Sequence, residues 1–250
     1  MPYLTSDDKA TFKENGYLVK HDTLTEEQLQ NALDVIWEHL ECDRDDPGTW
    51  IDSGPRNPPV GDHPAILATL YESPIFDMAE EIVGKGKLRK DGRPGPHFRF
   101  PTGRSDWKPA SGGHLDGYYT PTNGVPEGTV DKFSLGTTLY LNHVEPRAGG
   151  FTLFPGTHRQ AAEYFKTHAL PSLKGGNANA CDIFDMPEAV EVTGAPGTVC
   201  FWHGQLVHTG SQTYGKEIRM ALISRLRRID NDDILFESPD DIWEYYEGIE

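Results

Sequence analysis

His114 and Asp116 stand two residues apart, and His208 and Arg219 follow far downstream in that order. Two imidazoles and one carboxylate can occupy one face of an octahedral Fe(II) and leave three positions open for chemistry. On extended chain, residues two apart project to the same side, so His114 and Asp116 can share a metal while the third ligand arrives from another strand. Arg219 lies far enough past His208 for the chain to turn and return. A planar cation beside such an iron suits the remote carboxylate of a 2-oxo acid. An H-x-D triplet alone is weak, and a lone arginine is more often a surface residue; the four residues in this order carry the argument.

The surrounding segments define the elements that must position them. Gly112-Gly113-His114-Leu115-Asp116-Gly117-Tyr118-Tyr119 holds the first two ligands, with glycines on both sides that let backbone approach a metal. Tyr118 and Tyr119 are candidates for the substrate mouth, against core packing for at least one of them. The run from Gly197 to His208 reads as a hairpin that includes Trp202 and ends in His208; His203, at its turn, is the rival ligand. His143, His158 and His168 read as structural or exposed. In Glu217–Arg225, Arg219 shares a face with Ala221 and Ile223, an odd place for a cation unless a buried anion meets it. Arg225 and Arg227 share that parity but lie further along, where solvent can reach them. In Pro96–Phe100, His97 and Arg99 alternate with Phe98 and Phe100. If the polar face looks inward, Arg99 touches cosubstrate or substrate; the alternative is an outward, solvated face.

Ahead of these segments the chain reads as helical. Ser6 is expected to cap a helix that runs to Asn15 and ends at Gly16, and Tyr17-Leu18-Val19 reads as a short strand. Thr25-Glu26-Glu27-Gln28 fits a capping box, followed by Leu29, Leu33, Ile36 and Leu40 at helical spacing. Ser73-Pro74 opens another helix, closed by Gly84. From about residue 95 short β-rich runs alternate with Gly, Pro and Asn. Strands are expected near 96–100, 113–119, 134–142, 150–154, 189–193, 197–203, 205–209 and 217–227, with a helix at about 158–168 and a last short helix opened by Ser238-Pro239. The expected fold is mainly β with flanking helices: a jelly roll, or double-stranded β-helix, of the cupin type. It forms one domain over residues 1–250, helical to about 94, with the β core at about 95–230. Segments 42–63, 101–112, 120–132 and 170–188 read as long loops of the kind that serve as lids.

Composition narrows the class. The 250 residues hold 23 basic and 39 acidic side chains, a net charge of -16, which speaks against a nucleic-acid or anionic membrane surface. Solubility alone or adaptation to high salt would each explain it. Mean hydropathy is -0.57, and no apolar run approaches membrane-spanning length. The N-terminus lacks the basic flank and apolar core of a secretory signal. Cys42, Cys181 and Cys200 form no disulfide framework and no zinc spacing. A soluble cytoplasmic protein with a small-molecule substrate is the expectation.

Five stretches together resemble the phytanoyl-CoA dioxygenase-like family of Fe(II)/2-oxoglutarate oxygenases. They are Phe12–Val19, the segment at His114 and Asp116, Gly149-Gly150-Phe151-Thr152-Leu153-Phe154-Pro155-Gly156-Thr157-His158, the segment ending in His208, and Arg219-Met220-Ala221-Leu222. The resemblance implies that His114, Asp116 and His208 bind iron and that Arg219 holds the distal carboxylate of 2-oxoglutarate. Relatives often place a serine two residues after the distal histidine. Here that position is Gly210, so Thr209 and Ser211 become the hydroxyl candidates beside the cosubstrate. The retained Asp116 resembles a hydroxylating enzyme rather than a halogenase. The implied reaction couples O2 and 2-oxoglutarate to hydroxylation of a C–H bond, with release of succinate and CO2. The same core can drive desaturation, epimerisation or ring closure; from another class, a cupin-like binding module without catalysis is the competitor. Arg56, Arg104 and Lys108 on candidate lid loops could meet an anionic group, and Trp50, Trp107, Tyr118, Tyr119 and Trp202 are candidate pocket walls.

Overall fold

The computed structural model describes residues 2–174 and 179–249. The helical preface begins with α1 (Ser6–Asn15), capped by Thr5 in a reciprocal box with Asp8 and stopped by Gly16 at φ 79°. The cap is thus Thr5, one residue before the expected Ser6, because only there do hydroxyl and carboxylate serve each other's backbone amides. After β1 (Tyr17–Lys20), α2 (Glu26–Trp37) starts from the Thr25/Gln28 box. Next come α3 (Pro64–Tyr71), within a segment with no expected helix, and α4 (Pro74–Val83), capped by Ser73. Pro at the first helical position opens both, where its missing N–H costs nothing.

The β region comprises β2 (Gly95–Arg99), β3 (Leu135–Tyr140), β4 (Phe151–Leu153), β5 (Val190–Glu191), β6 (Val199–His203), β7 (His208–Gly210) and β8 (Arg219–Leu226), with α5 (Thr157–Phe165) and α6 (Asn179–Ile183) inserted. All named pairings are antiparallel. One sheet runs β1-β6-β3-β8-β2 and the other β5-β4-β7. The chain is sheet-rich but not mainly β, since the described helices hold more residues than the strands. Two expected elements are missing. Residues 113–119 make only isolated bridges, His114 to His208 and Tyr118 to Val130. Gly117, at φ 85°, turns the chain against the Asp131 carbonyl and interrupts any ladder. Residues 238–246 form turns instead of a helix; Trp243 and Tyr246 pack on Phe12 and His203. Within 170–188, residues 175–178 lie outside the described residues. No described helix is long and apolar enough to cross a membrane.

Strand alternation separates two apolar layers. Phe98, Leu135, Leu139, Val199, Phe201, Met220 and Leu222 pack with Phe12, Ile36, Ile66, Ile75 and Ile82 beneath the helices. The opposite residues, Tyr140, Cys200, Trp202 and Ala221, pack with Phe151, Leu153 and Val192 of the smaller sheet. The period of two thus sends His97, Arg99, Arg219, Ile223 and Arg225 to the face away from the helices. A third cluster gathers α5, Leu115, Tyr118, Leu170 and Phe184. The three cysteines are free.

His158 and His203 are buried side by side, ring centroids 5.4 Å apart, both against Trp243. Burial, and then Arg159, draws His158 down to about 4; burial, and then His158, holds His203 well below its usual range. Both are therefore neutral at pH 7, and as pH falls the unfolded chain takes up protons first. Stability should be complete above about pH 6.5 and decline toward about pH 4, with His158 contributing on the order of 3 kcal/mol. Urea midpoints measured from pH 7 to 4.5 are expected to fall, and to fall less steeply in His158→Gln. An equal slope in the two proteins would contradict this.

Candidate metal centre

A single bridge between β7 and the 113–119 segment builds the centre. The amide of His114 donates to the carbonyl of His208 at 2.9 Å, and the amide of His208 donates back at 3.1 Å. This reciprocal pair sets the two imidazoles 4.7 Å apart, centroid to centroid. Gly113 permits the approach: a Cβ there would lie 2.7 Å from the His208 carbonyl oxygen. Two residues on, past the buried anchor Leu115, Asp116 turns its carboxylate between the rings. Its Oδ1 lies 3.3 Å from His114 Nε2 and its Oδ2 3.4 Å from His208 Nε2.

His208 is held from several sides. Its Nδ1–H donates to the Leu206 carbonyl at 3.0 Å, which leaves the Nε2 lone pair for a metal. Trp202 (4.4 Å between centroids) and Phe151 (5.3 Å) bracket its ring. Arg225 grips Asp116 Oδ2 through Nε at 2.9 Å and a terminal nitrogen at 2.6 Å. Burial alone would raise the Asp116 pKa. The neighbouring His208 and His114 rings and the Arg225 guanidinium outweigh it and hold the carboxyl well below the usual range. The centre is therefore an ionised acid with two imidazole nitrogens, all ligand atoms within 4.8 Å of one another, the one such His/Asp/Glu/Cys group among the described residues. That donor set fits Fe(II).

Arg219 occupies the same cavity of about 270 Å³. It is 5 % exposed, with Nε donating to the Gly149 carbonyl at 2.9 Å and another nitrogen to the His97 carbonyl at 2.6 Å. Burial draws it down to about 10, so it stays cationic at neutral pH. Two backbone carbonyls orient it without neutralising it, which leaves the charge for an anion. The polar face of β2 looks into this cavity: His97 and Arg99 line it. Burial, then Arg225 and Arg219, lowers His97 to about 4.

Other candidates fare differently. Thr209 lines the cavity, whereas the Ser211 hydroxyl is spent on Glu191 at 2.7 Å and faces a neighbouring cleft. Tyr118 is buried and stacks on Phe165, Tyr119 lies beneath Lys174, and Trp202 is fully buried under His208 with Nε1 donating to Thr138 at 3.2 Å. None of these three lines the cavity. Trp50 is buried against Trp37. The rival His203 accepts from the Gln205 amide on its Nδ1, away from the metal group. Sequence reasoning undervalued Arg225: its parity with Arg219 was visible, and the parity rather than the distance along the strand was the useful signal.

An antiparallel, helix-flanked fold with a two-histidine, one-carboxylate centre and a buried arginine defines a non-haem iron oxygenase architecture. The family model for phytanoyl-CoA dioxygenase (PhyH) matches residues 12–221, and the chain belongs to that family. Its class is that of Fe(II)/2-oxoglutarate-dependent oxygenases. Similar solved structures include the non-heme alpha-ketoglutarate-dependent carbocyclase SnoK from nogalamycin biosynthesis: TM-score 0.61, 16% identity, 98% of this chain and 96% of that one covered. EctD from S. alaskensis, solved with 2-oxoglutarate and 5-hydroxyectoine, aligns with TM-score 0.57 and 17% identity over 92% of this chain and 78% of that one. HygX from Streptomyces hygroscopicus, solved with nickel, 2-oxoglutarate and hygromycin B, aligns with TM-score 0.54 and 15% identity over 90% and 88%. No curated protein matches the sequence.

Arg225 should govern how Asp116 presents its oxygens. Arg225→Gln is expected to weaken Co(II) or Fe(II) binding by about 10–100-fold, with partial recovery in Arg225→Lys. Anaerobic metal titration checks this; unchanged affinity in Arg225→Gln would contradict it.

Proposed function

We propose that the protein hydroxylates a C–H bond of a small-molecule substrate, using His114, Asp116 and His208 to hold Fe(II) and Arg219 to hold the distal carboxylate of 2-oxoglutarate. The observation that carries this reading is one cavity containing three convergent ligand side chains and a buried arginine with no carboxylate partner. Bound there, Fe(II) with 2-oxoglutarate and O2 supplies the oxidising chemistry, with succinate and CO2 as co-products.

The chain's own residues supply orientation. His208 presents Nε2 because Leu206 fixes its other nitrogen. Arg225 keeps one Asp116 oxygen occupied and would leave the other to hold the metal. Arg219 sets the cosubstrate's far end, and Thr209 is the hydroxyl candidate beside it. Trp202 and Phe151 exclude water from behind the distal histidine. The two antiparallel sheets, with His208 on the smaller one and Arg219 on the larger, support the jelly-roll reading of the core. Free cysteines suit a reducing, cytoplasmic setting.

The test is conversion of 2-oxoglutarate to succinate by protein loaded anaerobically with Fe(II) and then exposed to O2. Wild type should form succinate, and Asp116→Ala should not. Arg219→Leu should lose about 2–5 kcal/mol of cosubstrate affinity. Undiminished 2-oxoglutarate binding in Arg219→Leu would remove that assignment.

A further inference from the structure

The arginines of this chain divide by partner. Arg44, Arg89, Arg93, Arg159, Arg225, Arg227 and Arg228 each meet a carboxylate. Arg219 is held by carbonyls, and Arg147 lies on the Trp107 ring. Among the described residues the guanidiniums of Arg56, Arg99 and Arg104 have neither hydrogen bond nor ion pair. All three line one cleft, and Arg56 and Arg99 also line the metal cavity, so the cleft adjoins the candidate metal centre. In a chain of 39 acids and 23 bases, cations left unpaired in one place mark a place kept for an anion.

Arg99 is the informative member. It is half-buried and sits directly opposite Arg219 in the β2–β8 register, a like-charge pairing that costs stability unless an anion offsets it. Its guanidinium is held against the strand that carries His208: a Cβ on Gly210 would lie 2.5 Å from Arg99 and 3.1 Å from its Nε. Burial and the neighbouring charge of Arg56 both lower its pKa. Arg56 is exposed at the mouth, and its backbone carbonyl accepts from the Phe98 amide at 2.8 Å, which ties its loop to β2. Phe100, Trp107 and Tyr214 give the cleft aromatic walls; Asp106, on an exposed loop, is its one acid.

We infer that the primary substrate is an organic carboxylate whose anionic group seats on Arg99 and Arg56, with its body in the aromatic cleft, while Arg219 serves the cosubstrate. This rests on the oxygenase reading above. Planar forks match a carboxylate two oxygens at a time. None of the residues lining the cleft opens a helix, so the amide cradle that favours phosphate groups is not part of it. The same anion would relieve the Arg99–Arg56 repulsion and fix the substrate's orientation toward the metal.

The experiment uses Zn(II)-loaded protein saturated with 2-oxoglutarate and a panel of monocarboxylates from acetate to phenylacetate. Each is paired with its primary amide, phenyl phosphate is added as a further arm, and binding is followed by saturation-transfer NMR. A parallel arm measures 2-oxoglutarate affinity from the visible absorption of the anaerobic Fe(II) protein. The acids should bind in preference to their amides and to phenyl phosphate. Arg99→Gln should weaken acid binding about tenfold or more, and Arg56→Gln by a smaller factor. Gly210→Ala, which pushes Arg99 aside, should act in the same direction. In Arg99→Gln the 2-oxoglutarate midpoint should stay within about threefold of wild type, which also shows that the variant is folded. Acids binding no better than amides, or phenyl phosphate outranking the acids, overturns the inference. So does a loss of 2-oxoglutarate affinity in Arg99→Gln as large as the loss of acid binding, since Arg99 would then belong to the cosubstrate. Failure of wild type to bind 2-oxoglutarate at all would instead overturn the oxygenase reading itself.

Discussion

The reciprocal backbone hydrogen bond between His114 and His208 is the constraint on which the site depends. It joins a segment with almost no ladder of its own to the strand that carries the distal histidine. Without it the two imidazoles would belong to independent pieces of chain. With it, main-chain geometry brings the two imidazoles together, Trp202 and Phe151 pack the ring of His208, and Arg225 holds Asp116. Gly113 makes the approach sterically possible, and Leu115 anchors the segment in the apolar cluster under α5. The centre thus has a rigid side, β7 backed by Trp202, and an adjustable side, held through Arg225.

Electrostatics completes that arrangement. Asp116 is a half-buried acid whose ionised form is kept by imidazoles on one side and a guanidinium on the other, and that support offsets the desolvation of the acid. Around it, Arg56, Arg99, Arg219 and Arg225 bring four cations to a cavity whose only acid is Asp116. The rest of the chain is strongly acidic. A local positive field in a negative molecule draws small anions inward while the surface repels bulky polyanions.

Much of this was legible in the sequence. The candidate ligand set rests on residue type and order, and the parity of β8 groups Arg219 with Ala221 and Ile223, the face that lies inside. The Thr25 box and the Ser73-Pro74 start worked because capping is local chemistry. What was not legible depends on tertiary contact. Residues 113–119 carry β-like residue types, yet Gly117 turns the chain and only two bridges form. Trp243, Tyr245 and Tyr246 follow a helix-like Ser-Pro start, but their rings are claimed by Phe12 and His203 instead of by a helix face. Tyr118, Tyr119 and Trp202 read as pocket walls because aromatic residues near ligands often are. Here Phe165, Lys174 and the ring of His208 take them. Arg225 does reach solvent, as its place along the strand suggests, but its guanidinium also reaches back to Asp116, a contact that only the shared parity with Arg219 hints at.

The central claim is that one metal sits between His114, Asp116 and His208. Anomalous diffraction from crystals grown anaerobically with Fe(II) or Co(II) tests it most directly. The account predicts a single strong peak within ligand distance of His114 Nε2, His208 Nε2 and one Asp116 oxygen, with the other Asp116 oxygen still on Arg225. A peak elsewhere, such as beside His158 and His203, or no peak in metal-saturated crystals, would contradict it.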